Sequence, residues 1–190
     1  MALLINRTDN WAFVHIPKTG GTTITNILLN QQDTERRTGH DSLRAIDTDN
    51  LFIFTFVRNP FTRVVSAFLH GVRDGLYPND FTKFLNQSNK ADLWLLPQTY
   101  YVNSGKTETK QISYIGKYEN FENDLNKVLT KLNILDVTIP HDNRNPIYDK
   151  LPNLNQEKYY KEYYTEEWMK DWVRERYKDD FKQFNYELEI

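Results

Sequence analysis

The sequence predicts an α/β fold in which a parallel sheet is flanked by helices. Three observations predict it. An apolar run from Trp11 to Ile16 passes through a glycine-bearing loop into a helix-period pattern, which is the first half of a βαβ unit. A second run, Leu51 to Val57 (LFIFTFV), is apolar on both faces, as a central strand covered on both sides must be. A third run, Ile112 to Tyr118, again leads into a strongly periodic helix.

Taken in order, the first strand stops at Pro17, which cannot donate to a ladder and begins a loop. Ile24, Ile27 and Leu28 then fall at i, i+3 and i+4, one face of a helix. Residues Gln31 to Gly39 are polar and read as a loop, and Gly39 to Ile46 as a short helical turn. After Val57, Asn59 suits an N-cap and Pro60 the first helical position. Val64, Val65, Phe68 and Leu69 form that helix's buried stripe, and it is expected to end before Gly71 or Gly75. Asn79 to Asn86 reads as a short helix with Phe81, Phe84 and Leu85 inward. Leu93 to Val102 is apolar and broken at Pro97, and Ser104 to Lys110 is a polar turn. Phe121, Leu125, Val128, Leu129 and Leu132 mark a helix from about Glu119 to Leu132. Residues 133–155 carry Pro140, Pro146 and Pro152 and read as a long irregular cover. Trp168, Met169, Trp172, Val173, Tyr177 and Phe181 then make one apolar helical face.

Composition narrows the function. With 190 residues and no linker or repeat, residues 1–190 read as a single domain. The 12 Tyr and 11 Phe imply a core built largely from aromatic rings. A net charge of −2 with no polybasic stretch argues against nucleic acid as a partner. The absence of cysteine excludes disulfides and thiolate metal sites, and the four histidines lack metal-ligand spacing, so no metal is expected. No run approaches the roughly 20 apolar residues of a membrane span, and no signal segment is seen, so a soluble, cytoplasmic protein is expected. The oligomeric state is not readable.

The chemistry concentrates in Pro17–Thr23. A glycine loop entering a helix presents backbone N–H groups where the helix dipole favours an anion. Lys18 adds a charge, and Thr19, Thr22 and Thr23 add hydroxyl donors. A tight turn needing positive φ would account for Gly20 and Gly21 alone. It would not call for the lysine and three threonines as well. The loop is P-loop-like, yet it is not a nucleoside-triphosphate P-loop, because the lysine precedes the glycines and no G-x-x-x-x-G-K occurs. Arg58 follows the best strand, at the sheet edge where open parallel sheets bind ligands, and Ser66 lies two turns into the next helix. Together they could hold a second phosphate, or Arg58 could pair with a carboxylate and Ser66 fill a packing site. Arg63 offers another cation. His40, in a loop between the two strands, could take a proton from an acceptor hydroxyl. His15 reads as a structural hydrogen-bonder. Arg144, in HDNRNP, could close over a nucleotide or sit solvated, and Gln98 could face the acceptor.

HIPKTGGTT and VRNPFTRVVSAF together resemble the two signature elements of the sulfotransferases that use 3′-phosphoadenosine 5′-phosphosulfate. The first is most similar to the carbohydrate sulfotransferases, in the branch containing the uronyl 2-O-sulfotransferases. The resemblance implies a sulfotransferase fold. It also implies that Lys18, Gly20, Gly21, Thr22 and Thr23 hold the 5′-phosphosulfate, while Arg58 and Ser66 hold the 3′-phosphate. Gly39–His40 resembles the family's GH segment and makes His40 the catalytic base, with Lys18 at the leaving phosphate. The expected reaction is transfer of a sulfuryl group to an acceptor hydroxyl on a carbohydrate, with no metal required. A departure from the Golgi members is expected, since they carry a membrane anchor and often disulfides, and this sequence shows no cysteine and no apolar run of spanning length. Two other classes stay open: a P-loop kinase-like nucleotide-dependent enzyme, and a non-catalytic nucleotide-binding protein of the same fold.

Overall fold

A computed structural model describes residues 2–38, 50–88, 92–103, 112–135, 137–139 and 156–190. They pack as two units. The first gathers 2–58 and 98–139, the second 59–97 and 156–190.

The first unit is built on a five-stranded sheet. Its strands are β1 (Ala2–Asn6), β2 (Trp11–Val14), β3 (Thr34–Thr38), β4 (Phe52–Val57) and β5 (Tyr114–Lys117). The sheet order is β3-β1-β2-β4-β5. β2, β4 and β5 run parallel, with Phe13 opposite Phe54 and Phe56 opposite Gly116. β1 is antiparallel to both of its neighbours. The parallel core is the one expected; the two antiparallel strands are additions. Residues 34–38 form an edge strand instead of the expected loop. TERRT lacks apolar alternation, and it forms a strand because β1 offers a row of unpaired backbone groups beside it. Asn6 fixes the hairpin joining β1 to β2. Its fully buried amide donates to Asp9 Oδ2 and to the Gln32 carbonyl, both at 2.9 Å, and its Oδ1 accepts from the Asp9 N–H at 2.8 Å.

Helix α1 (Gly21–Leu29) and, after a 3₁₀ turn at Tyr118–Asn120, helix α5 (Phe121–Lys131) share one core with the sheet. Ile24, Ile27 and Leu28 meet Leu125, Val128 and Leu129 over Trp11, Phe13, Phe54 and Phe56. The sequence of α1, GTTITNILL, is rich in residues that form helices poorly, at a cost of about 0.5 kcal/mol each. Each buried large apolar side chain stabilises by about 1.5–3 kcal/mol, so packing decides the outcome. A short helix, α4 (Gln98–Val102), follows Pro97 and belongs to this unit.

The second unit holds α2 (Pro60–Arg73), α3 (Phe81–Gln87), α6 (Gln156–Lys161), α7 (Glu167–Arg176) and α8 (Lys178–Phe184). Asn59 caps α2 as expected, accepting the Phe61 N–H at 2.9 Å, with Pro60 in the first turn. The helix does not stop at Gly71. A Cβ there would overlap the Tyr77 ring, so that glycine makes room for an aromatic neighbour within a continuing helix. Phe61, Phe68, Phe81 and Phe84 interlock with Tyr163 and Tyr164 at centroid separations of 5.2–6.0 Å, mostly edge-on or tilted, the arrangement aromatic quadrupoles favour. The C-terminal helical face is interrupted at Tyr177, which separates α7 from α8. The Tyr177 hydroxyl donates to the Leu95 carbonyl at 2.8 Å. Residues 39–46 and 104–110 and most of the 133–155 segment, for which a helical turn, a polar turn and a cover were expected, lie outside the described residues.

Asp124 joins β5 to α5. Its carboxylate accepts the Lys117 N–H at 2.9 Å, the Asn120 amide at 3.0 Å and the Lys127 ammonium at 2.9 Å. Partial burial alone would raise its pKa, but the bonds from the Lys117 backbone, Lys127 and Tyr114 outweigh it and hold the carboxyl below its ordinary value. A carboxyl whose folded pKa is depressed contributes stability above its unfolded pKa and loses it as pH falls through the folded value. Asp124→Ala is therefore expected to cost about 1–3 kcal/mol at neutral pH. The difference from wild type should shrink as pH is taken below 3.8, the unperturbed value, in urea unfolding series run at each pH.

Candidate functional site

Between β2 and α1 the chain runs His15-Ile-Pro-Lys-Thr-Gly20. Lys18 has φ +68° and Gly20 φ +84°, so two left-handed residues one apart turn the strand into the helix. Left-handed backbone is easy for glycine and strained for lysine. The turn is held from inside by Thr19, whose fully buried hydroxyl donates to the Ile16 carbonyl at 2.9 Å. Thr19 was expected among the hydroxyl donors to an anion. Its one proton is instead spent closing the loop, leaving its backbone N–H as what it can offer a ligand.

Two packing contacts explain the glycine pair. A Cβ on Gly20 would lie 2.5 Å from the Phe121 ring, and a Cβ on Gly21 would overlap the ring of His15. His15 stacks on Phe13, with centroids 5.8 Å apart. Burial, reinforced by the positive charges of Arg36 and Lys18 among its neighbours, lowers its pKa to about 4, so the ring beneath the loop is neutral near pH 7. The structural reading of His15 agrees with this placement.

Gly20 is the N-cap of α1. It supplies no capping side chain, and the first turn carries no acidic residue. The Ile24 N–H makes the first helical bond, to the Gly20 carbonyl at 3.4 Å. The N–H groups of Gly21, Thr22 and Thr23 thus belong to the turn whose donors have no partner within the helix. Thr22 is exposed beside them, and Thr23 is buried.

Arg58 is the first residue beyond β4. It is buried, with Nη1 donating to the Lys18 carbonyl at 3.3 Å and the guanidinium lying over the Tyr118 ring, 4.1 Å from its centroid. The loop and Arg58 are thereby brought together within the first unit. Gln98, expected to face the acceptor, joins them there with its side-chain amide turned onto Arg58. It is fully buried, its Oε1 accepting the Arg58 N–H and its Nε2 donating to the Arg58 carbonyl, both at 2.8 Å. Ser66 lies on the second turn of α2 in the other unit, half-buried. Arg63 does not act as a further surface cation. It is buried, donating to the carbonyls of Trp94 and Leu96 at 3.2 and 3.0 Å. His40 and Arg144 lie outside the described residues.

Tyr118 and Phe121, which back Arg58 and Gly20, were missed from the sequence as site neighbours. A signal existed: they directly follow the third strand of the parallel set, at the sheet edge where Lys18 and Arg58 also emerge. Among the described residues no group of three His, Cys, Asp or Glu is placed to hold a metal ion, and no helix is long and apolar enough to cross a membrane.

His15 and Gly21 should be coupled. Gly21→Ala is expected to destabilise by about 1–3 kcal/mol through overpacking. His15→Ala in the same chain should recover part of that loss, as read from thermal unfolding of both single variants and the double variant. Because the folded pKa of His15 is depressed, its contribution to stability is complete above pH 6.5 and falls away between 6.5 and about 4. In an NMR titration the His15 ring resonances should stay unshifted down to about pH 5.

The family model described as "Sulfotransferase family" matches residues 1–187. An uncharacterized protein of Archaeoglobus fulgidus is 34% identical over 95 residues, covering 48% of this chain and 78% of that protein. No solved structure matches. The chain belongs to the sulfotransferase family.

Proposed function

We propose that this member of the sulfotransferase family moves a sulfuryl group from 3′-phosphoadenosine 5′-phosphosulfate to a hydroxyl of a saccharide acceptor. The observation that carries this reading is the pairing of the uncapped α1 N-terminus with Arg58, whose guanidinium rests on the carbonyl of Lys18 in the same loop. One anion site with a second cation held against its rim suits a donor bearing two separate phosphate groups. The family match across 1–187 supports treating residues 1–190 as one sulfotransferase domain.

In this reading the N–H groups from Thr19 to Thr23 and the Thr22 hydroxyl bind the 5′-phosphosulfate, and Arg58 with Ser66 binds the 3′-phosphate. Donors fixed in place before the reaction stabilise developing charge without reorganising. The acceptor oxygen attacks sulfur in line, forming the new S–O bond as the bond from sulfur to the bridging phosphate oxygen breaks. The electron pair leaves with that oxygen, where Lys18 meets the charge. The acceptor proton goes to His40. Arg144 would close over the nucleotide. Gln98 supports Arg58 and does not touch the acceptor. The carbohydrate acceptor rests on the likeness of HIPKTGGTT to the carbohydrate sulfotransferases.

The test is a labelled-sulfate donor offered against saccharides, phenols and lipids, with 3′-phosphoadenosine 5′-phosphate affinity measured in parallel by calorimetry. Lys18→Ala is expected to lower turnover by about 10²–10³. His40→Ala should abolish transfer while nucleotide binding persists; full transfer by that variant would remove His40 as the base. Magnesium-dependent ATP turnover in place of sulfate transfer would favour the kinase-like class. Tight nucleotide binding with no transfer to any acceptor would favour a binding protein.

A further inference from the structure

We infer that Gln98 is a positioning residue for the nucleotide site, acting through the backbone of Arg58. This deepens the reading above and rests on Arg58 being the group that binds the 3′-phosphate. The parallel ladder between β4 and β5 ends with Val57 opposite Lys117, and that between β2 and β4 ends with Val14 opposite Thr55. Arg58 is the next residue, and the chain turns at Asn59 into α2. Its N–H and C=O have passed the last rung of both ladders, and the residue is buried, so solvent cannot serve them. Buried backbone polar groups left unpaired are costly.

Gln98 resolves this with a side chain that imitates a peptide. A primary amide carries a donor and an acceptor in one plane. Here the acceptor takes the Arg58 N–H and the donor meets the Arg58 carbonyl, each at 2.8 Å. The amide thus occupies the place of one more residue of a neighbouring strand. Pro97 lies immediately before it, at the start of α4. Leucine could fill the volume and glutamate could supply the acceptor, but neither offers both groups at neutral pH.

The consequence falls on the guanidinium. With its backbone clamped, Arg58 reaches the Lys18 carbonyl with Nη1 and sits over the Tyr118 ring, 4.1 Å from its centroid. A planar fork binds a phosphate through angle as well as distance. Freedom at the Arg58 backbone is therefore expected to cost affinity for the 3′-phosphate and leave the 5′ end of the nucleotide untouched.

The experiment measures calorimetric affinity for 3′-phosphoadenosine 5′-phosphate and for adenosine 5′-phosphate, which lacks the 3′ group. The proteins are wild type, Gln98→Leu, Gln98→Glu, Arg58→Ala and the Arg58→Ala/Gln98→Leu pair, each checked for folding by circular dichroism. Gln98→Leu is expected to weaken the bisphosphate about tenfold and to leave adenosine 5′-phosphate within about twofold. The effect should vanish when Arg58 is already alanine. Gln98→Glu should show the same selectivity and serves if the leucine variant does not fold. Equal losses for both nucleotides, or a loss that persists without Arg58, would mean a general structural role and overturn the inference. If Arg58→Ala weakens the bisphosphate and neither Gln98 variant does, the inference alone fails. If Arg58→Ala binds it like wild type, the assignment of the 3′-phosphate to Arg58 fails as well.

Discussion

A parallel sheet has to stop, and the backbone just past its last rung must find partners that are not strands. That constraint shapes this site. Three neighbouring segments leave the sheet at one edge, after Val14, Val57 and Lys117, and each is tied off differently. After Val14 the chain folds back on itself, with Thr19 bonding Ile16 across a loop that contains two left-handed residues. After Val57 the amide of Gln98 stands in for a strand. After Lys117 the carboxylate of Asp124 takes the Lys117 N–H and leads into a helix. The geometry of the candidate site is largely a by-product of those closures, because each one fixes the backbone from which Lys18, Arg58 or Tyr118 projects.

Arg58 and Arg63 show how context separates two identical side chains five residues apart. Both are buried. Arg63 is spent on main-chain carbonyls. It serves Trp94 and Leu96, while Tyr177 and Arg176 serve Leu95, so three successive carbonyls of an irregular segment are satisfied from α2 and the C-terminal helices. That arrangement stabilises a stretch which has no ladder of its own. Arg58 donates to the carbonyl of the loop lysine and rests on the face of Tyr118, a ring that attracts cations.

Much of this is legible in the residues themselves. LFIFTFV announces a central strand by being apolar on both faces, and Asn59-Pro60 announces the helix start through capping chemistry that is local by nature. The glycine loop and Arg58 were equally plain, since both sit where strand pattern gives way to helix pattern. What could not be read were pairings whose partners lie far apart. Gln98 and Arg58 are 40 residues apart, and an amide bonding a backbone leaves no periodic trace. Residues 34–38 form a strand because of what β1 presents to them, so their own polar composition pointed the other way. β1 itself, five residues long and running straight into the hairpin turn, was too short to show a period. Thr19 looked like its neighbours Thr22 and Thr23 in composition. Only the positive φ of Lys18 and Gly20 turns its hydroxyl inward.

The edge strand β3 has a bearing on how the protein behaves in company. The outer side of an edge strand carries backbone donors and acceptors that another chain could extend into a longer sheet. Here that strand reads Thr-Glu-Arg-Arg-Thr, with Glu35 and Arg36 exposed on it. A second copy adding itself in parallel register would set Arg36 and Arg37 beside their own twins, stacking like charges a strand-width apart, roughly 5 Å. The charged residues that hid this strand from a hydrophobic pattern thus disfavour that in-register parallel pairing.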